Sequence, residues 1–191
     1  MTQYHYGAPQ YHVTTRDKIG PDLLQGIFPA DRSSWGDDPK FLGWPAHLQR
    51  LHMTIADASA RLVDGLETVL EESEGSVQEV MGLTGMNSLG LDLISHVHGH
   101  HGFEDANVLP GFLERFPQLS QAIDLLENDH IFLDLTLDQS ELVFSKLNGK
   151  ATSKKDIGNA LEQAKMLNKI LLRHTYDEED ILIPAVLQAY S

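Results

Sequence analysis

Two stretches of this chain carry the same chemically capable side chains at the same spacing. His100-His101-Gly102-Phe103-Glu104-Asp105 runs on to Val108-Leu109-Pro110, and His174-Thr175-Tyr176-Asp177-Glu178-Glu179 runs on to Leu182-Ile183-Pro184. In each copy a glutamate follows a histidine by four residues, a second acid by five, and a proline by ten. Four residues is about one helical turn, roughly 6 Å of rise, so imidazole and carboxylate stack on one face and can be aimed at one point. A helix presents two ligands to a metal in this way.

Composition limits what such ligands could serve. At 191 residues the chain fits one domain, with or without a tail. Cysteine is absent, which excludes disulfides, thiolate metal sites, iron–sulfur clusters and a cysteine nucleophile, so any metal is held by nitrogen and oxygen. The net charge of −14 repels phosphate backbones and anionic membranes, so neither nucleic acid nor membrane is an expected partner. No window approaches the roughly 18 apolar residues of a membrane span, and Met1 to Gln10 has no signal-peptide character. The cytoplasm is the expected compartment, and the oligomeric state stays open.

The elements that must position the ligands are helical. Residues 1–41 read as an extended N-terminal arm broken by Gly and Pro, with His5 and His12 as surface residues and Trp35, Phe41 and Trp44 as anchors on residues 42–191. A first helix is expected from about Pro45 to Glu72, with the stripe Leu48, His52, Ile55, Ser59, Leu62, Leu66 and Val69. Residues 73–88 read as a connection with a helical turn near Val77–Met81. A second helix covers about Leu89 to Leu109, followed by a turn over Gly111 to Pro117. The third runs from Leu119 to Leu147, where one histidine, His130, interrupts an otherwise clean heptad and Asn148-Gly149 is the stop. The fourth starts at Ser153 as N-cap and reaches about Ala189 with a kink at Pro184.

Four amphipathic helices with short loops predict an all-α, up-down-up-down antiparallel four-helix bundle. Periodicity on the second helix admits either His100 or His101; the repeat favours His100, because it matches His174 in its offset from glutamate and proline. His96 and His98 fall on other faces, and a close backbone neighbour would account for Gly99 and Gly102. His52, His100, Glu104, His130, His174 and Glu178 then converge, with His101, Glu179 and Asp134 as substitutes. Two glutamates and four histidines in a core would be strongly destabilising unless cations neutralised them. Such ligands without sulfur suit iron, manganese or zinc, and six exceed one ordinary zinc site, so a di-iron centre is the natural candidate.

A helix-one His, His-x-x-x-Glu with a second acid and Leu-Pro, a helix-three His preceded by Asp, and a second His-x-x-x-Glu-Glu with Ile-Pro together resemble the hemerythrin-like (HHE cation-binding) domain over about residues 42–190. The resemblance implies a non-haem, oxo- or hydroxo-bridged pair of iron ions, with Mn or Zn as substitutes, binding O2, peroxide or NO. It implies His52, His100, His130 and His174 as terminal ligands and Glu104 and Glu178 as bridges. Oxygen carriers of the family place two histidines four apart on helix three, whereas this chain has Leu126 and Asp134 on either side of His130. That departure favours sensing, iron handling or redox response over bulk oxygen carriage. Two rivals are a metal-free, partner-binding helical bundle and a ferritin-like di-iron oxidase, for which Glu127 to His130 supplies only one of the paired Glu-x-x-His motifs.

Overall fold

A computed structural model describes residues 4–24, 31–147 and 152–189, and every regular element among them is helical. The helices are α1 (Trp44–Glu71), α2 (Val77–Thr84), α3 (Met86–Phe103), a π-helical segment (Glu104–Val108), α4 (Leu109–Arg115), α5 (Ser120–Lys146) and α6 (Lys154–Gln188). Short 3-10 turns occupy Arg32–Asp37, Pro39–Leu42 and Pro117–Leu119.

The chain forms two compact units. The first comprises Met1–Met53, Gly102–Ile131 and Leu172–Ser191, and the second Thr54–His101 and Phe132–Leu171. In the first, Leu23, Trp35, Leu48, Leu109, Leu126 and Leu182 belong to one buried apolar cluster, with Tyr4, Tyr11, Phe41 and Trp44 packed against it. The arm was expected to lie outside the core apart from its aromatic anchors, but Val13 and Leu23 are each only 1 % exposed. A core built from long-range contacts can recruit apolar residues that show no period. Trp35, Phe41 and Trp44 anchor this segment as expected, with Trp44 5.3 Å from Phe112 between ring centres. In the second unit the stripes of α1 and α5 hold: Ile55, Leu62, Leu66, Leu133, Leu137 and Phe144 are all buried.

Helix ends follow local chemistry. Gly85, at φ 64°, takes the left-handed conformation that ends α2 and donates its N–H to the Met81 carbonyl, so the expected connection is mostly helix and α3 starts at Met86. Ser153 and Asp156 cap α6 reciprocally: the Ser153 N–H donates to the Asp156 carboxylate at 3.0 Å, and the Asp156 N–H donates to Ser153 Oγ at 3.3 Å. The Asn148-Gly149 stop lies outside the described residues. Helix persists through Gly111 to Arg115, where a turn was expected, and the chain turns instead at Phe116.

The two copies of the repeat take different backbones. Pro184 lies inside α6, which continues past it, whereas Pro110 sits in the first turn of α4 immediately after the π segment. Proline has no N–H to donate to the carbonyl four residues back, so each copy has a gap in its ladder. In one copy the helix runs through the gap; in the other an extra residue enters the turn, as π segments allow.

Among the described residues, a Cβ at Gly99 or Gly102 would meet nothing within 4 Å, so close packing does not explain them; at Gly90 it would stand 2.5 Å from Phe144 Cδ1. Gly90→Ala gains about 1 kcal/mol of helix propensity but forces overpacking worth about 1–3 kcal/mol. Denaturant unfolding is therefore expected to show Gly90→Ala less stable than wild type and Gly99→Ala more stable by about 0.5–1 kcal/mol.

Candidate metal centre

Within the first unit, α1 supplies His52, the π segment supplies Glu104 and Asp105, α5 supplies Asp129 and His130, and α6 supplies His174, Glu178 and Glu179. His52, Glu104, His130, His174 and Glu178 are all at most 2 % exposed. The ring nitrogens Nε2 of His130 and His174 stand 3.1 Å apart. His52 Nε2 lies 3.1 Å from Glu178 Oε2, and His174 Nε2 lies 3.9 Å from the same oxygen. His130 Nε2 is 3.8 Å from Glu104 Oε2, and donor atoms of His52, Glu104 and Glu178 lie within 4.8 Å of one another.

All three imidazoles turn the other nitrogen, Nδ1, to a carboxylate. His52 Nδ1 is 3.0 Å from Glu179, His130 Nδ1 is 2.6 Å from Asp105, and His174 Nδ1 is 3.3 Å from Asp129. An N–H donated from Nδ1 fixes the tautomer and leaves Nε2 as the lone-pair donor, facing the two buried glutamates. The second acids of the repeat, Asp105 and Glu179, do the same thing, since each backs a histidine on another helix.

The backing carboxylates are themselves held. Arg16, 5 % exposed, donates from one terminal nitrogen to Asp129 at 2.8 Å and from Nε to Asp177 at 2.7 Å. Arg173 also pairs with Asp177, and the Tyr6 hydroxyl donates to Asp129 at 2.8 Å. Arg32 donates to Glu179 at 2.6 Å and to Asp180 at 2.8 Å.

Burial and charge divide the glutamates. Burial, reinforced by the Glu178 charge, pushes the Glu104 carboxyl up to about 11. Burial would raise Glu178 as well, but hydrogen bonding and charge from His52, with His174 and His130 adding, hold it far below the usual carboxylate range. Burial works against charge on His52, yet Glu178 and Glu179 raise it to about 9. Burial lowers His174, with Asp129 pulling the other way.

The donor set fits a cation. Two nitrogens bound about 2.1 Å from one ion at right angles stand about 3 Å apart, and the His130–His174 nitrogens are separated by 3.1 Å. Among the described residues, Glu178 Oε1 accepts no hydrogen bond. An unsatisfied buried acceptor costs about 1–3 kcal/mol, more when charged.

Compared with a protein-family model, the hemerythrin HHE cation-binding domain, the chain matches over residues 46–186. This chain belongs to the hemerythrin HHE family. Compared with curated proteins and with solved structures, it has no significant match. The hemerythrin match leaves out the segment that carries Arg16 and Arg32.

The remaining expected residues of this hemerythrin domain fall as follows. His101 is 1 % exposed and His100 half-buried, both on α3 in the second unit, with ring centres 5.7 Å apart. The buried face of α3 therefore runs through Ile94, Val97 and His101. Asp134 lies in the second unit, its half-exposed carboxylate 3.2 Å from His98. Leu126 is fully buried in the apolar cluster. Glu127 is exposed, so the ferritin-like reading loses its one motif. Among the described residues, no helix is long and apolar enough to cross a membrane. Sequence reasoning missed Arg16, Arg32, Asp105 and Asp129 as supports; Asp105, the second acid of the repeat, and Asp129, preceding His130 in the family pattern, carried a signal, and the arginines carried none.

Glu104 and His52 set the pH dependence of the metal-free protein. Both carry folded-state values above their unfolded ones, so their stabilisation is present in acid and lost as pH rises. The metal-free melting temperature is expected to fall as pH rises from 6.5 to about 9. Glu104→Gln, which removes an ionisable group without changing shape, is expected to make the decline shallower.

Proposed function

We propose that this hemerythrin domain holds two iron ions, oxo- or hydroxo-bridged, and binds O2, peroxide or NO in sensing, iron handling or redox response. The observation that carries the reading is the trio of buried imidazoles, each backed at Nδ1 by a carboxylate, with Nε2 turned towards Glu104 and Glu178. His52, His130 and His174, with Glu104 and Glu178, would hold the ions, the histidines as terminal ligands and the glutamates as bridges by the family resemblance; one oxygen of Glu178 lies near both His52 and His174. On α3, the repeat argues for His100 as a metal-ligating histidine and burial argues for His101. Manganese or zinc could occupy the same donors.

α1, α3 with its π segment, α5 and α6 are read as the four helices of an up-down-up-down bundle in a cytoplasmic protein, whose net charge of −14 disfavours nucleic acid and anionic membranes as partners. When bound, the irons supply redox capacity and an open position for a small ligand. The chain's own residues orient the imidazoles through Asp105, Asp129 and Glu179, keep water out by burial, and hold protons at Nδ1. With Leu126 and Asp134 at the two positions four residues from His130, the ligand set is one imidazole short of an oxygen carrier's, which supports the sensing or redox reading over bulk carriage. Full burial of the donors argues against the metal-free alternative.

Protein from iron-supplemented culture is expected to carry two irons per chain, by elemental analysis, with near-ultraviolet oxo-to-iron absorption. His174→Ala and Glu178→Ala are each expected to lower iron content at least severalfold and to lower the melting temperature of the loaded protein, because metal binding is coupled to folding. A colourless, iron-free wild-type chain that stays folded overturns the proposal.

A further inference from the structure

We propose that the N-terminal segment is a working part of the metal centre, with Arg16 and Arg32 as positioning residues that fix His174 and His52 through the carboxylates backing them. The inference rests on the metal-binding reading above. It concerns residues that precede the matched hemerythrin range, which begins at residue 46.

Two relays carry it. In the first, Arg16 grips both oxygens of Asp129, and Asp129 faces His174 Nδ1 at 3.3 Å. Arg16 also donates to the Tyr11 carbonyl at 2.7 Å, so the guanidinium is tied to its own segment while it reaches inward. In the second, Arg32 donates to Glu179 Oε2 at 2.6 Å, while Glu179 Oε1 lies 3.0 Å from His52 Nδ1. Arg32 lies over the Tyr176 ring at 3.5 Å and near Trp35 at 4.8 Å, which restrains its plane.

The chemistry follows from the fork. Arg16 binds both oxygens of Asp129 and so locks that carboxylate in position and orientation, whereas Arg32 bonds one oxygen of Glu179 and is itself fixed by Asp180 and the Tyr176 carbonyl. A carboxylate so locked presents one oxygen to one imidazole, and the ring can then swivel little about its own axis. The third histidine provides a contrast. His130 is backed by Asp105, whose side chain is 45 % exposed. His52 and His174 are thus held by arginine-fixed carboxylates, and His130 by a solvated one.

Partners of metal-ligating histidines typically change metal affinity by about 10–100-fold when removed. Arg32, at 25 % side-chain exposure, can be changed with little risk to the fold. The test uses the full chain stripped of metal and titrated with cobalt(II) against a competing chelator. Alongside affinity it records the visible ligand-field spectrum, which responds to ring orientation, and the metal-free melting temperature, which does not depend on the metal.

Arg32→Ala is expected to keep the metal-free melting temperature within a few degrees, weaken cobalt binding about tenfold and shift the spectrum; Arg32→Lys is expected to recover part of the affinity. Arg16→Met is expected to weaken binding further. If Arg16→Met does not fold, Arg32→Ala decides alone. Wild-type binding with unchanged affinity and spectrum in the folded variants overturns this inference and leaves the metal reading standing. A wild-type chain that binds no cobalt overturns both.

Discussion

Charge taken out of water must be answered by opposite charge, and most of what distinguishes the first unit follows from that constraint. An ion in the protein interior costs several kcal/mol even after relaxation. Asp129 and Asp177 are both fully buried, and two guanidiniums answer them, Arg16 from the N-terminal segment and Arg173 from α6. That cluster is neutral by pairing. Glu104 and Glu178 are treated differently: His52 stabilises the charge on Glu178, while Glu104 avoids ionisation. The protein thus keeps one pair of acids for structure and another in the state where a cation would be the strongest available partner.

The same constraint explains why a segment without periodicity folds inward. An arm held only by apolar anchors could sit on the surface. Here Arg16 reaches a buried site, and its carboxylate partners are 113 and 161 residues distant along the chain. Removing one member of such a pair is worth about 3–5 kcal/mol, far more than an exposed ion pair. Val13, Leu23 and Trp35 add apolar burial around it. Arm and buried carboxylates are therefore parts of one electrostatic arrangement.

The repeat shows how similar sequences can serve one purpose with different backbones. In both copies the first acid is buried and the second backs a histidine from another helix. Yet one copy stays α-helical through Pro184, and the other widens into a π segment ahead of Pro110. The second acids differ in surroundings as well: Glu179 is gripped by Arg32, and Asp105 meets solvent. This asymmetry distinguishes His52 from His130 although both have a carboxylate on Nδ1.

The sequence by itself determined the helical content, most helix limits to within a few residues, and the buried stripes of α1, α5 and α6. Each depends on local periodicity and capping, which a chain displays before it folds. It also determined that histidines and glutamates fall within those stripes, because a polar residue in phase with an apolar face is visible in one dimension. Only the tertiary structure decided which nitrogen of each imidazole points inward, that Asp105 and Glu179 each face a histidine of another helix, that α3 buries His101 more deeply than His100, and that Arg16 pairs with Asp129 and Asp177. These depend on contacts between distant segments and on one extra residue in a turn, and neither leaves a period in the sequence.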